Sequence, residues 1–185
     1  MAEIIHIEDI ELAKQCARGD DKARKELYTR YAGSLYALCV RYVGDRELAR
    51  DLMHDSMIKV FDTIGKYKPT GSLKSWVSKV TVNLVIDHIR KSRKFHTVSL
   101  DEKQERIPEP DKEEMRLVPK EELMKMVTRL PDAKRVIFNM FCVEGYSHKD
   151  IAAMLGIKEK TSSSLLFKAR MQLADEVREY IRRND

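Results

Sequence analysis

Cysteine is scarce in this 185-residue chain, with three in all. Cys16, Cys39 and Cys142 lie far apart with neither CxxC nor Cys/His spacing, which excludes a disulfide framework and a structural zinc site. Cys16 and Cys39 fall at apolar helical positions and read as buried thiols of a reducing compartment. Long hydrophobic runs are missing too. Nothing approaches the roughly 18 apolar residues of a membrane span, and the first fifteen residues carry acids but no Lys or Arg before Lys14, unlike a secretory signal. A cytoplasmic protein without membrane insertion is expected. No glycine-rich loop that could cradle a phosphate is present, and the five histidines have neither a second ligand four residues on nor an HxE signature. His54 beside Asp55, and His88 beside Asp87, diverge by about 100° on a helix and cannot form a base and its orienting partner. No enzyme, no metal and no cofactor are expected.

What is present is a helix-forming, charged chain with 43% hydrophobic and 35% charged residues and a net charge of +5. That is enough apolar material for one core or two small ones, and the excess of positive charge favours a polyanionic partner. The charge is not evenly spread. Residues 1–97 hold 18 Lys and Arg against 13 Asp and Glu, residues 98–117 hold 4 against 7, and residues 118–185 hold 13 against 10. Two basic blocks thus flank an acidic strip, VSLDEKQERIPEPDKEEMRL. With Pro108, Pro110 and few apolar side chains, the strip cannot bury enough surface to offset the entropy of ordering, and it reads as a flexible linker.

Both blocks read as helical, and alternating strand patterns are absent. Gly19 can close a helix over about 7–18. Asp20 can cap a second helix, in which Ala23, Leu27, Tyr31, Leu35, Leu38 and Tyr42 recur at steps of three and four. Gly44 and Asp45 repeat that stop and start. A third helix then places Leu48, Leu52, Val60 and Ile64 inward and Asp51 and Asp55 on another face. A loop over 65–71 follows. Ser72 caps the next helix, which is expected to turn Trp76, Val77, Val80 and Leu84 inward and leave Lys74, Lys79, Asn83 and Asp87 outside. The expected fold is all-α: two small helical domains joined by the flexible acidic linker.

Residues 146–173, YSHKDIAAMLGIKEKTSSSLLFKARMQL, have the pattern of a helix-turn-helix. Ser147 and Asp150 fit a capping box, Ile151, Ala152 and Leu155 form an inner face, and Gly156 frees the turn that Ile157 plugs. The second helix buries Leu165 or Leu166, Ala169 and Leu173. This leaves the turn from Thr161 to Ser164, and Lys168, projecting outward, as in a helix that enters the major groove.

The paired blocks resemble the two conserved domains of bacterial RNA polymerase sigma factors, of the extracytoplasmic-function (ECF) type of the sigma-70 family. Three segments carry the resemblance: ELYTRYAGSLYALCVRYVGDRELARDLMHDSMIKVF, GSLKSWVSKVTVNLVIDHIRKSR, and LPDAKRVIFNMFCVEGYSHKDIAAMLGIKEKTSSSLLFKARMQL. It implies a region 2-like domain over 1–97, a linker over 98–117 and a region 4-like domain over 118–185. It also implies promoter DNA, duplex and single-stranded, and core RNA polymerase (clamp coiled coil and flap) as partners, with an anti-sigma factor as a further one.

Residue by residue, the resemblance makes Arg50, Asp51 and Asp55 the anchors on the polymerase clamp. The melted minus-10 element falls to Tyr67, Lys68, Lys74, Lys79, Asn83 and Arg90. Tyr67 suits base stacking, the lysines the backbone and Asn83 a polar contact, while Trp76 reads as core. Lys91, Arg93 and Lys94 join Arg90 as a basic cluster for upstream phosphates. The minus-35 element falls to His148, Lys149, Lys160, Ser163, Ser164, Phe167 and Lys168, where short hydroxyls permit close approach of the helix. Lys158 stands where the family often has a Ser or Thr cap, and Ser163 and Leu165 replace frequent basic residues.

Two other readings make different demands. A stand-alone helix-turn-helix regulator would bind duplex tightly by itself, usually at two-fold symmetric sites. A helical adaptor would bind protein alone. The basic and polar residues over 72–94 suit single-stranded DNA better than a small ligand.

Overall fold

The computed structural model describes residues 2–92 and 117–184, with side chains from residue 8 on. Eight α-helices and no strand occur among the described residues. The chain divides into two compact units, one of Met1–Val40 with Asp45–Ile86, the other of Arg41–Gly44 with Asp87–Asp185. The acidic strip falls almost wholly outside the described residues, as do Arg93 and Lys94.

Helix α1 (Ala2–Ala17) begins five residues earlier than the spacing predicts. It ends at Gly19, whose φ of +85° is open to glycine at little steric cost. Asp20 then accepts the amide of Ala23 at 2.8 Å and opens α2 (Asp21–Val43). All six positions expected inward on α2 are buried. Asp45 accepts the amides of Glu47 and Leu48 and opens α3 (Arg46–Thr63). On α3, Leu52 and Val60 are buried as expected and Ile64 beyond its end also is, whereas Leu48 is only half-buried and Ala49 takes the fully buried position. A short 3₁₀ turn, Ile64–Lys66, closes it.

The next helix, α4 (Leu73–Lys91), is rotated relative to expectation. Its deepest residues are Leu73, Val77, Thr81, Val82, Val85 and Ile86, while Trp76, Val80 and Leu84 are half-buried. Apolar residues stand almost all round this helix, so their spacing alone does not choose between neighbouring faces. Ser72 caps it as expected, accepting the amide of Ser75 at 3.2 Å.

In the second unit, α5 (Lys120–Arg129) and α6 (Asp132–Phe138) are separated by Pro131. Proline pushes the preceding residue out of the helical region, and Leu130 sits at φ −55°, ψ 145°. The carbonyls thereby released are taken up by the buried Arg135, whose Nη1 donates to the carbonyls of Thr128 at 3.1 Å and Leu130 at 2.7 Å. A π-helical turn follows at Asn139–Val143, with the amide of Glu144 donating to the carbonyl of Asn139 at 3.0 Å. Helix α7 (His148–Leu155) and helix α8 (Glu159–Asn184) complete the unit.

At 26 residues, α8 is about 39 Å long at the usual rise per residue. Ala169, Leu173 and Val177 on it pack with Val118, Met126, Val127 and Leu130, and Tyr180 and Ile181 cover the far end. Burying each aliphatic side chain of this kind is worth roughly 2 kcal/mol.

Cys16 and Cys39 are buried and Cys142 is exposed. Burial raises the thiol of Cys16 and pushes that of Cys39 up to about 12. Since the thiolate is the nucleophile, iodoacetamide at neutral pH is expected to alkylate Cys142 alone in the native protein and all three in urea. Mass spectrometry of the labelled peptides checks this, and native labelling of Cys39 would contradict its burial.

Candidate nucleic-acid interfaces

Arg50, Asp51 and Asp55 all lie on the solvent face of α3, opposite Ala49, Leu52, Met53, Ser56 and Met57. Helix geometry puts Arg50, His54 and Ile58 in one row four residues apart, beside the row that holds Asp51 and Asp55. Ile58 is 60% exposed. Next to it the ring of Tyr28 on α2 stacks on His54 at a centroid distance of 6.4 Å. The sequence reading missed both Ile58 and Tyr28. Ile58 carried a signal, as an aliphatic residue three positions past Asp55 on a charged face. The result is an apolar centre rimmed by charge on the first unit.

The loop after α3 is tied by its own aromatic residue. Tyr67 Oη donates to the carbonyl of Gly71 at 2.7 Å, and its ring meets Trp76 edge-on at 5.9 Å. Trp76, expected in the core, is half-buried and forms the floor under Tyr67. The tyrosine hydroxyl is raised above its ordinary pKa, first by burial and then by the charge of Asp9. Lys68 on the loop is exposed, as are Lys74, Lys79 and Asn83 on α4. Lys79 and Asn83, four residues apart, share a face, whereas Lys74 points about 140° away from Lys79. Arg90 is exposed and pairs with Asp87 at 2.9 Å.

Local chemistry builds the helix-turn-helix as the sequence suggests. Ser147 Oγ accepts the amide of Asp150 at 3.1 Å, and Asp150 Oδ2 accepts the Ser147 amide at 3.1 Å and its hydroxyl at 2.6 Å. Gly156 turns the chain at φ +70°, a conformation that strains other residues. Lys158 directly precedes α8, so its side chain offers no oxygen to that helix start.

The bonds from the Ser147 hydroxyl, then from its amide, lower the Asp150 pKa. A carboxylate held this way stabilises the fold fully above its ordinary pKa near 4, and the contribution is lost as pH falls through the depressed folded value. The melting temperature of D150N is therefore expected below that of the parent protein at pH 6, with the gap closing towards pH 2.5. A gap unchanged over that range would contradict the capping role.

The outward face of α8 needs correction. Ser162 is 0% and Ser164 7% exposed, Thr161 is half-buried, and only Ser163 of the three serines is open to solvent. Ser164 therefore does not project as expected. The physical reason is the breadth of the buried face: Ser162, Leu165, Leu166 and Ala169 all face inward, and Ser164 is small enough to be covered beside them. Lys160, Ser163 and Phe167 share the outer stripe, with Phe167 half-buried, while half-buried Lys168 lies about 100° round from Phe167. Lys149 is exposed. His148 is half-buried and already engaged, its Nδ1 2.9 Å from Ser162 Oγ and its ring stacked at 4.5 Å on Phe141. Arg170, which the sequence reading passed over, continues this column with its guanidinium 5.9 Å from the centre of the Phe141 ring.

Among the described residues no helix is long and apolar enough to cross a membrane. Two segments match family models in chain order: "Sigma-70 region 2" over residues 27–95 and "Sigma-70, region 4" over residues 120–173. The ECF RNA polymerase sigma factor SigE of Mycolicibacterium smegmatis is 30% identical over 166 residues, covering 86% of this chain, which spans 64% of that relative's length. SigM of Bacillus subtilis, an ECF RNA polymerase sigma factor, is 27% identical over 152 residues, 80% of this chain and 91% of its own. A solved structure of the sigma factor RpoE with the anti-sigma factor NepR from Bartonella quintana aligns over 84% of this chain and 96% of that one, at 19% identity and a TM-score of 0.47. A helical protein with a helix-turn-helix and both of these segments is a transcription initiation factor in class. The chain belongs to the sigma-70 family of RNA polymerase sigma factors, in its ECF group.

Proposed function

We propose that this chain binds core RNA polymerase, directs it to specific promoters and helps open the minus-10 element, without catalysing a reaction itself. The observation that carries the reading is the order of the two matched segments, region 2 before region 4, each with polar residues on a solvent-facing helix surface. In this reading residues 1–97 form the polymerase and minus-10 domain, 98–117 the linker and 118–185 the minus-35 domain, all acting in the cytoplasm. Arg50, Asp51 and Asp55, with Ile58 next along the same open face, meet the clamp. Tyr67, Lys68, Lys74, Lys79, Asn83 and Arg90 serve the opened strand, which gains stacking and phosphate contacts in exchange for lost pairing.

For the upstream duplex the residues are Lys149, Lys160, Ser163, Phe167 and Lys168, together with His148 as far as its contact to Ser162 leaves it free. Such a reading surface works with modest intrinsic affinity, because a domain tethered to polymerase binds at high effective concentration. An anti-sigma factor is the regulatory partner that fits this class.

The test is to mix the purified chain with core polymerase. Co-elution together with transcription from a subset of promoters is the expected result. Tight duplex binding by the chain alone, with no affinity for polymerase, would replace this reading with a stand-alone regulator.

A further inference from the structure

We propose that Asp9 is the positioning residue that holds the loop over 66–72 and the first turn of α4 in place for the unpaired DNA strand, an inference that rests on the function proposed above. Helix α1, which carries Asp9, precedes the matched segment that starts at residue 27. Asp9 is the one carboxylate among the described residues that is buried, at 5% exposure. A carboxylate is taken out of water only where bonds compensate it. Its Oδ2 accepts the backbone amide of Leu73 at 3.3 Å, and its Oδ1 faces Arg30 Nη1 at 3.4 Å.

The Leu73 amide opens α4 and belongs to the group at a helix start that finds no partner within the helix. Negative charge at that end is also favoured by the helix dipole. The Ser72 hydroxyl is turned to Ser75 instead, accepting its amide and donating to its hydroxyl. Leu73 itself is 0% exposed, so without Asp9 its N–H would be stranded away from water at a substantial penalty. Arg30 is less dependent, because Glu26 holds it at 2.9 Å. The bond without a substitute is therefore the one to the loop's exit. At its entrance the loop is fixed by buried Ile64, and within it by the Tyr67 to Gly71 bond and the contact of Tyr67 with Trp76. The charge of Asp9 reaches this loop, for after burial it is the second cause that raises the Tyr67 hydroxyl, as it is for Tyr31.

Trp76 is the chain's single tryptophan, so its fluorescence reports the loop without reference to DNA. The probe for the second readout is a fluorescent single-stranded oligonucleotide carrying the non-template minus-10 sequence of a promoter that the reconstituted holoenzyme transcribes. D9A is expected to shift Trp76 emission to the red and to weaken oligonucleotide binding by the holoenzyme about tenfold, with polymerase binding intact. D9N keeps an oxygen for the Leu73 amide but loses the charge that strengthens the bond, and is expected to lose only about threefold.

A folded D9A protein that keeps its emission or its affinity overturns the proposal. An emission shift in D9A, combined with a parent holoenzyme that shows no affinity for the strand, leaves Asp9 holding the loop and removes the proposed function instead. Should D9A not fold, hydrogen exchange of D9N decides. Faster exchange confined to 66–74 supports the role, and uniform or unchanged exchange contradicts it.

Discussion

Replacing Asp51 and Asp55 together by lysine is expected to abolish promoter-dependent transcription while leaving the melting temperature within about 2 °C of the parent value, as exposed substitutions usually do. Both carboxylates lie on the open face of α3, away from the residues that bury it. Reversing two charges at the rim of an apolar contact turns attraction into repulsion, and affinity for core polymerase should drop by about 100-fold or more. I58A, which trims the 60%-exposed side chain about one turn beyond Asp55, should weaken binding by about tenfold with no charge change. Affinity measured with labelled core polymerase, beside a thermal melt, gives the answer. Unaltered polymerase binding by the double lysine variant would remove this face from the interface.

The serines of α8 give the second large effect. S162K forces a charge into a position with 0% exposure that also holds His148 in place, and it should destabilise the second unit by about 3 kcal/mol or more. S163K, one residue on and exposed, should change stability by less than about 0.5 kcal/mol and tighten binding to upstream duplex by adding a phosphate contact. Urea unfolding followed by circular dichroism distinguishes them. Equal stability of the two variants would mean that Ser162 is not where the structure places it.

Helix starts and turns were legible because single side chains determine them. Asp20, Asp45, Ser72 and Ser147 each accept an amide just beyond themselves, and Gly19 and Gly156 occupy left-handed turns. Faces were legible where one stripe is apolar and the rest mostly polar, as on the first half of α2. They were not on α4, where Trp76, Val80 and Leu84 are spaced as regularly as the residues that sit deeper. The buried serines escaped for another reason: a hydroxyl on a small side chain is equally at home inside and outside, and the partner of Ser162 lies 14 residues away. Asp9 could not have been foreseen at all, since its bond to Leu73 spans 64 residues and local spacing says nothing of such distance. For the residues proposed to touch DNA and polymerase, the sequence supplied types and order, and the structure supplied which of them stand open.

Helix α8 is one unbroken rod from Glu159 to Asn184, with the turns proposed to meet the promoter at its start and, at its end, buried Val177 with half-buried Tyr180 and Ile181 packed against the core cluster of the unit. On the proposed function, reading and anchoring are mechanically the same object. Loosening at the tail, by crowding or shaving those three side chains, would be carried along the rod and blur what its tip recognises. Promoter choice in such a design is only as sharp as the grip on the opposite end of the helix.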